Sequence, residues 1–289
     1  MDAPADPVSR LLPTQRLTAI ADIGANPIDG DPPYKSMLQR GLCTVVGFEP
    51  QPEALAALNA RKSVYETYFP YVIGDGHEGT FRVCSASGMS SLLAPDNRAL
   101  RFFAKFPEWG RVIAETPVAT RQLDDIAEIE NLDLLKIDVQ GSELTVFRHG
   151  HRLLSRAVAV HTEVSFFALY KDQPTQGEID AELRSLGFIP HMFAEIRKRV
   201  LAPLVDDQNP HRELNQLLEA DIIYVRDFTK ADAMSNEQLA HLARIAHFCY
   251  KSYDLAMNCL VHLERRQAVG VDYLDSYMQL LQNPVQPPA

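Results

Sequence analysis

The chain has 289 residues, of which 46% are hydrophobic and 23% are charged, a composition typical of globular proteins that excludes disordered and fibrous ones. Its 38 acidic residues outnumber its 28 basic residues, so the formal net charge is −10. Because proteins bind nucleic acids nonspecifically through lysine and arginine, this charge argues against DNA or RNA as a partner.

Residues 1–18 are predicted to be an N-terminal segment outside the main domain. The first residues are acidic where a secretory signal peptide would be basic, and no stretch of about 18 apolar residues occurs in the chain. The 4 cysteines are widely separated and have no histidine at ligand spacing. We therefore expect a cytoplasmic protein with reduced thiols, no membrane contact and no metal site.

Residues 19–228 alternate short apolar runs with amphipathic stretches of helical length. This alternation predicts an α/β fold, with a doubly wound, mostly parallel sheet of seven strands whose last strand is antiparallel. The predicted strands are 19–23, 44–48, 68–73, 132–139, 157–164, 188–196 and 220–225, and the predicted helices are 33–40, 52–61, 141–154 and 175–186.

Residues 229–289 form a separate helical extension. Apolar residues recur at helical spacing over 236–250, 254–266 and 271–281, which predicts a helical hairpin followed by a third helix. A single hairpin cannot bury its own apolar face. We expect it to pack either on the sheet domain or on a second copy of the chain, as a homodimer.

The first predicted strand ends at Asp22 and continues into Gly24, Ala25 and Asn26. An acid at a strand end, followed by a glycine-bearing turn, is typical of the point where such sheets bind small ligands. The loop lacks the GxGxxG of dinucleotide sites and the lysine of a P-loop, and Asp22 and Asp29 would repel an anion. It suits a positively charged ligand such as S-adenosylmethionine, which carries a sulfonium and an ammonium group.

The second and third predicted strands also end in residues suited to a nucleoside. Glu49 follows the second strand, where its carboxylate can accept hydrogen bonds from both ribose hydroxyls, and Pro50 fixes the chain as it leaves. Asp22 or Glu49 alone would be an ordinary turn or loop acid, but together they favour a nucleoside-containing cofactor. Gly74 and Asp75 follow the third strand, where Asp75 either reaches the adenine amino group or simply closes a turn.

The fourth and fifth predicted strands carry the candidate catalytic residues. Alternation places Lys136 and Asp138 on one face of the fourth strand, where charges are costly unless paired or functional. Asp138 is a candidate cofactor contact and base, and Lys136 is either catalytic or paired with Asp138 or Glu143. His161 and Glu163 share a face of the fifth strand and are candidate bases for an acceptor hydroxyl, with a buried structural histidine as the alternative for His161.

In order and spacing, these motifs resemble the FkbM family of S-adenosylmethionine-dependent methyltransferases over about residues 19–228. The matching motifs are DIGAN at 22–26, VVGFEPQPEAL at 45–55, GDGHEGTF at 74–81, SGMSSL at 87–92, QLDDI at 122–126, LLKIDVQGSEL at 134–144 and EVSFFALYKDQPT at 163–175. The resemblance implies a class I, Rossmann-like sheet and O-methylation of a hydroxyl on a sugar, glycan or secondary metabolite. It also implies that Asp22, Glu49 and Asp138 lie around the cofactor.

The chain departs from the family pattern at two places. Residues 27–29 delay the glycine of the first loop to Gly30, which predicts that the first helix starts late. Gln140 stands where the family has a carboxylate, which weakens any scheme that needs a metal-binding acid there. The helical extension lies outside the resemblance.

The acceptor is expected to be a small molecule or a glycan. Ser90, Ser91, His211 and Arg212 lie in connections that flank the sheet and are candidates for its recognition. Two alternatives stay open. One is a non-catalytic adaptor that keeps the cofactor site and uses its C-terminal helices for protein interaction, and the other is an NAD-dependent oxidoreductase, which the missing GxGxxG disfavours.

Overall fold

The structure is a computed structural model that describes residues 7–26, 30–205 and 207–282. The predicted repulsion of an anion by Asp29 therefore concerns a residue outside the described ranges. The strands are β1 (Thr18–Ile23), β2 (Cys43–Phe48), β3 (Glu66–Phe69), β4 (Val72–Ile73), β5 (Glu78–Cys84), β6 (Val112–Arg121), β7 (Leu134–Ile137), β8 (Ala159–Ser165), β9 (Phe188–Arg199) and β10 (Gln216–Arg226). The helices are α1 (Pro7–Leu11), α2 (Lys35–Gln39), α3 (Pro52–Arg61), α4 (Asn97–Leu100), α5 (Phe106–Trp109), α6 (Glu143–Arg148), α7 (His151–Leu154), α8 (Gln176–Ser185), α9 (Asn236–Tyr250), α10 (Tyr253–Arg265) and α11 (Tyr273–Gln282).

A seven-stranded sheet with the order β3-β2-β1-β7-β8-β10-β9 forms the centre of the molecule. Strands β3, β2, β1, β7 and β8 pair in parallel, whereas β10 pairs antiparallel with both β8 and β9. The central strands are mostly apolar and largely buried on both faces, as is typical of parallel strands covered by helices. The predicted doubly wound, Rossmann-like sheet with an antiparallel last strand is confirmed.

Two predicted elements differ from the structure. The predicted strand 68–73 is broken at Pro70, which cannot donate a ladder hydrogen bond, into β3 of the main sheet and β4 of a second sheet with the order β4-β6-β5. The predicted helix 141–154 is interrupted near Gly150 and forms α6 and α7. The second sheet was not predicted, because most side chains of β6 are exposed and show no alternating apolar pattern.

The first helix after β1 is short and starts late, as the 27–29 insertion predicts. Helix α2 has 5 residues and adds one buried side chain, Met37, to the cluster on the face of β1 and β2. The C-terminal helices cover that face, because Ile20 and Val45 of the strands lie in the same buried cluster as Leu242 and Ile245 of α9. The extension therefore completes the core of its own sheet.

The three predicted C-terminal helices are confirmed as α9, α10 and α11. Helix α9 begins with a reciprocal capping box, in which the Ser235 hydroxyl accepts from the Gln238 amide at 3.1 Å and the Gln238 side chain accepts from the Ser235 amide at 3.0 Å. The apolar face that suggested a homodimer is buried inside the chain itself.

Within the described residues, every helix is too short or too polar to cross a lipid bilayer.

Candidate functional site

A cavity of about 580 Å³ lies along the carboxyl ends of the central strands. It spans the switch point between β1 and β7, where the strand order reverses and where open α/β sheets bind their ligands. Its walls also include parts of β9 and β10 and the segment around α5. The predicted site residues that line the cavity are Gly24, Asn26, Glu49, Pro50, Asp138 and Glu163.

Backbone contacts hold the first loop against its neighbours. The amides of Gly24 and Ala25 donate to the Phe48 carbonyl at 3.0 and 3.1 Å, and the Asp138 amide donates to the Ile23 carbonyl at 2.9 Å. Gly24 has a φ of +79°, and a Cβ at this position would lie 1.9 Å from the Asp138 carbonyl oxygen. Only glycine therefore lets the ends of β1 and β7 approach so closely.

Glu49 presents a buried carboxylate to the cavity. Its side chain is only 2% exposed, and its Oε1 accepts a hydrogen bond from the Gln51 amide at 2.7 Å. Burial is the largest influence on this group and raises its pKa, while the hydrogen bond from Gln51 opposes the rise. A carboxylate in this setting is suited to accept hydrogen bonds from a pair of vicinal hydroxyls, such as those of a ribose.

An aromatic wall follows Glu49 along the cavity. Phe48, Phe69 and Tyr71 stack with ring centroids 5.2 to 6.2 Å apart, and the Arg121 guanidinium lies 3.6 Å from the Tyr71 ring centre. Tyr71 and Val72 line the cavity directly. The sequence interpretation missed this wall, although the aromatic run around Pro70 was a visible signal. A flat apolar surface beside a carboxylate suits a nucleoside base.

Gly74 and Asp75, predicted near the adenine, lie in a turn outside the described cavity lining. The Asp75 carboxylate accepts from the His77 amide at 2.9 Å and from the Thr120 hydroxyl at 3.2 Å, and the bond from His77 is the main cause of its lowered pKa. The Gly74 amide donates to the Arg121 carbonyl at 2.8 Å. The structure therefore favours the turn alternative, and an adenine contact stays a prediction.

Asp22 and Lys136 lie in the sheet behind the described cavity lining. Asp22 is 2% exposed and accepts from the Lys136 ammonium at 3.1 Å and from the Tyr34 hydroxyl at 2.5 Å. Burial lowers the pKa of Lys136, but the charges of Asp22 and Asp138 outweigh it and raise the pKa overall. The expected ion pair of Lys136 with Asp138 or Glu143 is thus replaced by one with Asp22, its register partner on β1.

His161 faces helix α9 and lies outside the cavity lining that the structure describes. Its Nδ1 is 3.4 Å from the Tyr250 hydroxyl, and the two ring centroids are 5.9 Å apart. Burial and the positive charge of Lys136 lower the pKa of His161 to about 4, so the ring is neutral at pH 7. This placement matches the structural alternative for His161, and a catalytic role stays a prediction.

Glu163 belongs to a group of carboxylates arranged around Arg197. The guanidinium Nη1 lies 3.3 Å from Glu163 and 3.5 Å from Glu219, while Nη2 lies 2.7 Å from Glu195 and 3.4 Å from Asp221. Burial raises the pKa of Glu163 well above its usual value, that of Glu219 to about 7 and that of Asp221 to about 6. The group therefore holds carboxyls that can gain or lose a proton near neutral pH.

A second group of aromatic rings, from Phe106, Trp109 and His211, also lines the cavity. Trp109 stacks on His211 with ring centroids 5.4 Å apart, and Phe106 lies 5.3 Å from Trp109. Of the four predicted acceptor residues, Ser90 and His211 line the cavity. The Ser91 hydroxyl donates instead to the Gln140 carbonyl at 2.8 Å.

Gln140, which replaces a family carboxylate, also lines the cavity. Its side-chain amide donates to the Asp138 carboxylate at 2.7 Å and so orients it. Glu143 accepts from the Val139 amide at 2.9 Å, and burial raises its pKa to about 7. Over residues 7–26, 30–205 and 207–282, no three His, Cys, Asp or Glu side chains are arranged to hold a metal ion.

The strand order and the cavity at its switch point define a Rossmann-like α/β protein with a candidate ligand site at the carboxyl ends of the strands. The chain belongs to the FkbM methyltransferase family, because the sequence model of the Methyltransferase FkbM domain matches residues 22–190, more than half of its length. S-adenosylmethionine is accordingly its cofactor, as the sequence predicts. Family membership favours a methyltransferase over the oxidoreductase alternative.

Individual proteins similar to this chain include the 2-O-methyltransferase NoeI of Sinorhizobium fredii, which is 29% identical over 169 residues. That match covers 53% of this chain and 66% of NoeI, just under two thirds of the relative. Among solved structures, the magnesium protoporphyrin IX methyltransferase of Synechocystis is 11% identical with a TM-score of 0.39, covering 76% of this chain and 74% of that one. A putative tRNA (m1A22) methyltransferase of Streptococcus pneumoniae is 10% identical with a TM-score of 0.37, covering 96% and 100%.

Proposed function

We propose that the chain is an S-adenosylmethionine-dependent O-methyltransferase that acts on a hydroxyl of a sugar, glycan or secondary metabolite. The observation that carries this proposal is one continuous cavity that joins the buried carboxylate of Glu49 to the buried carboxyl group of Glu163 and the partly exposed carboxyl group of Glu219. The relative NoeI is named as a 2-O-methyltransferase, which supports oxygen as the acceptor atom.

The cofactor end of the cavity comprises Gly24, Asn26, Glu49, Tyr71 and Asp138. In our proposal the Glu49 carboxylate accepts from the ribose hydroxyls, and Tyr71 offers its surface to the base. The carboxylates of Glu49 and Asp138 favour a cationic ligand over an anionic one. When bound, S-adenosylmethionine supplies an electrophilic methyl group on its sulfonium. The residues present therefore fit the cofactor in charge and shape.

The acceptor end comprises Glu163, Arg197, Arg199, Glu219 and the Trp109–His211 stack. A hydroxyl placed beside Glu163 or Glu219 can pass its proton to the carboxylate, which acts as a general base. Burial raises the pKa of Glu219 to about 7, close to the value that suits such a base at neutral pH. The side chains also hold the acceptor in a fixed orientation, which supplies a large part of the acceleration in reactions of this kind.

Cofactor placement is tested by isothermal titration calorimetry with S-adenosylmethionine. Glu49→Gln removes the charge while keeping the shape, so the affinity is expected to fall about tenfold, the effect of losing hydrogen bonds to a charged group. Glu53→Gln is the matched control, because Glu53 is an exposed residue on α3. Equal affinities of the wild type and Glu49→Gln would refute this placement of the cofactor.

Turnover is tested separately, because the adaptor alternative predicts cofactor binding without methyl transfer. The protein is incubated with S-adenosylmethionine and a panel of oligosaccharides, and the products are analysed by mass spectrometry for the gain of one methyl group. Methylated product that alkaline ester hydrolysis leaves intact, and that carries an ether-linked methyl by NMR, supports O-methylation. Tight cofactor binding without product from any class of hydroxyl acceptor would support the adaptor.

A further inference from the structure

Arg199, the last residue of β9, is a buried cation in the wall of the acceptor end. Arg199 is only 8% exposed to solvent. One terminal nitrogen, Nη1, donates to the Lys198 carbonyl at 2.7 Å, and Nη2 lies 3.5 Å from His211 Nδ1. The Nε atom is buried and has no hydrogen-bond partner within the part of the chain that the structure describes. The edge of the guanidinium formed by Nε and Nη2 is therefore poorly satisfied.

Arg197 and Arg199 differ in their counter-ions, although they lie on the same face of β9. Arg197 has four carboxylates within 3.5 Å. For Arg199, no carboxylate oxygen of residues 7–26, 30–205 or 207–282 lies within 4.0 Å. Its charge lowers the pKa of Glu219, but the Glu219 carboxylate is in contact with Arg197. A buried guanidinium without a paired anion is costly, so a ligand anion would be stabilised there.

The surroundings of Arg199 suit part of a bound molecule. His211 is stacked on Trp109, which gives a flat surface next to the unsatisfied edge of the guanidinium. Glu213 also lines this region, and its Oε1 is 3.4 Å from the Lys198 amide. The Nε and Nη2 donors of an arginine form a planar fork that matches two oxygens of a carboxylate or a phosphate.

We propose that Arg199 binds an oxyanion carried by the methyl acceptor, so that the protein selects acidic acceptors over neutral ones. The inference rests on the proposed function, whose acceptor it specifies by charge. The carboxylates around Arg197 do not oppose it, because Arg197 neutralises part of their charge and burial raises the pKa of Glu163 and of Glu219. The oxyanion is either a carboxylate, as in an acidic sugar, or a phosphate ester, and both offer the same paired oxygens.

The test measures the affinities of glucuronate, glucose 6-phosphate and glucose by calorimetry. The protein is saturated with S-adenosylhomocysteine, which has no methyl group to transfer. The wild type is expected to bind at least one acidic sugar about tenfold more tightly than glucose, and Arg199→Gln is expected to lose that preference. Whichever acidic sugar binds more tightly identifies the oxyanion as carboxylate or phosphate.

Two further variants control the experiment. Arg98→Gln removes an exposed arginine far along the chain from β9 and should keep the preference. Arg199→Lys keeps the charge but loses the fork, so it should bind the acidic sugar more weakly than the wild type even if Arg199→Gln fails to fold. Equal binding of the three sugars by the wild type, or an unchanged preference in both Arg199 variants, would overturn the inference. Failure of the wild type to bind S-adenosylhomocysteine would instead count against the proposed function.

Discussion

At the cofactor end of the cavity the backbone sets the geometry, whereas at the acceptor end charged side chains do. Gly24 and Asp138 touch through main-chain atoms, and the ends of β1, β2 and β7 are joined by amide-to-carbonyl hydrogen bonds. At the acceptor end, carboxylates from β8, β9 and β10 surround Arg197, and Arg199 lies on the same face of β9. We infer that the cofactor end tolerates little change in shape, while the acceptor end is sensitive to charge and pH.

The largest effect is expected from Gly24→Ala. The new Cβ would lie 1.9 Å from a main-chain oxygen at a positive φ, so the ends of β1 and β7 must separate. The free energy of unfolding should fall by about 3 kcal/mol and S-adenosylmethionine binding should be lost. Urea denaturation and calorimetry measure the two effects.

Gly177→Ala is the matched control, because nothing lies within 4 Å of the added Cβ and Gly177 is inside helix α8. It should leave stability unchanged or raise it by about 1 kcal/mol. If Gly24→Ala were as stable as this control and bound the cofactor normally, the description of the cofactor end as a backbone-built site would be wrong.

A large effect on turnover alone is expected at the acceptor end. Glu163→Gln should lower kcat about 100-fold, because the variant cannot take a proton from the acceptor hydroxyl. Its affinity for S-adenosylmethionine should stay that of the wild type. Glu219→Gln is measured in parallel, and the variant with the greater loss of kcat identifies the base. Near-full methyl transfer by both variants would exclude a carboxylate base at this end.

A smaller effect is expected in the pH dependence of methyl transfer. A carboxylate base works only when ionised, so with Glu219 as the base activity should rise as the pH increases through about 7, the pKa of Glu219. Arg197→Gln removes a positive charge that lowers this pKa, so the rise should move to higher pH by about one unit. The profile of kcat against pH measures the shift. A profile that moves to lower pH, or does not move, would contradict the role of Arg197.

The smallest effect is expected from His161→Gln. His161 lies against Tyr250 on the α9 side of the sheet and is neutral at pH 7. Its replacement should change kcat by less than about threefold, measured at a temperature where the variant is folded. A loss as large as that of Glu163→Gln would return His161 to the list of candidate bases.

The fold, and the meeting of Gly24, Glu49 and Asp138 at one cavity, were largely predictable because their signals are contiguous in sequence. The apolar runs of β1, β2 and β7 each end at a turn that carries a polar residue, and parallel strands bring those ends to one edge. Periodicity likewise predicted α9 to α11. The break at Pro70 and the exposed strand β6 lack such a pattern, so the second sheet was missed.

The acceptor end was harder to predict because its members are distant in sequence. The predicted strands ended at 196 and began at 220, so Arg197 and Glu219 fell just outside them, although β9 and β10 continue through both positions. Alternation along a longer β9 would have placed Glu195, Arg197 and Arg199 on one face. The choice of Asp22 as the partner of Lys136 depends on strand register, which single-sequence patterns do not specify.

The covering of β1 by the C-terminal helices has a consequence for biosynthesis. A buried hydrogen bond between Thr18, the first residue of β1, and His241 of α9 measures 3.0 Å and spans 223 residues of the chain. During translation the apolar face of β1 and β2 is made long before the helices that cover it, so it stays open to water or to chaperones until α9 and α10 have left the ribosome. Early termination before Ser235 should therefore yield an aggregating product rather than a smaller working enzyme.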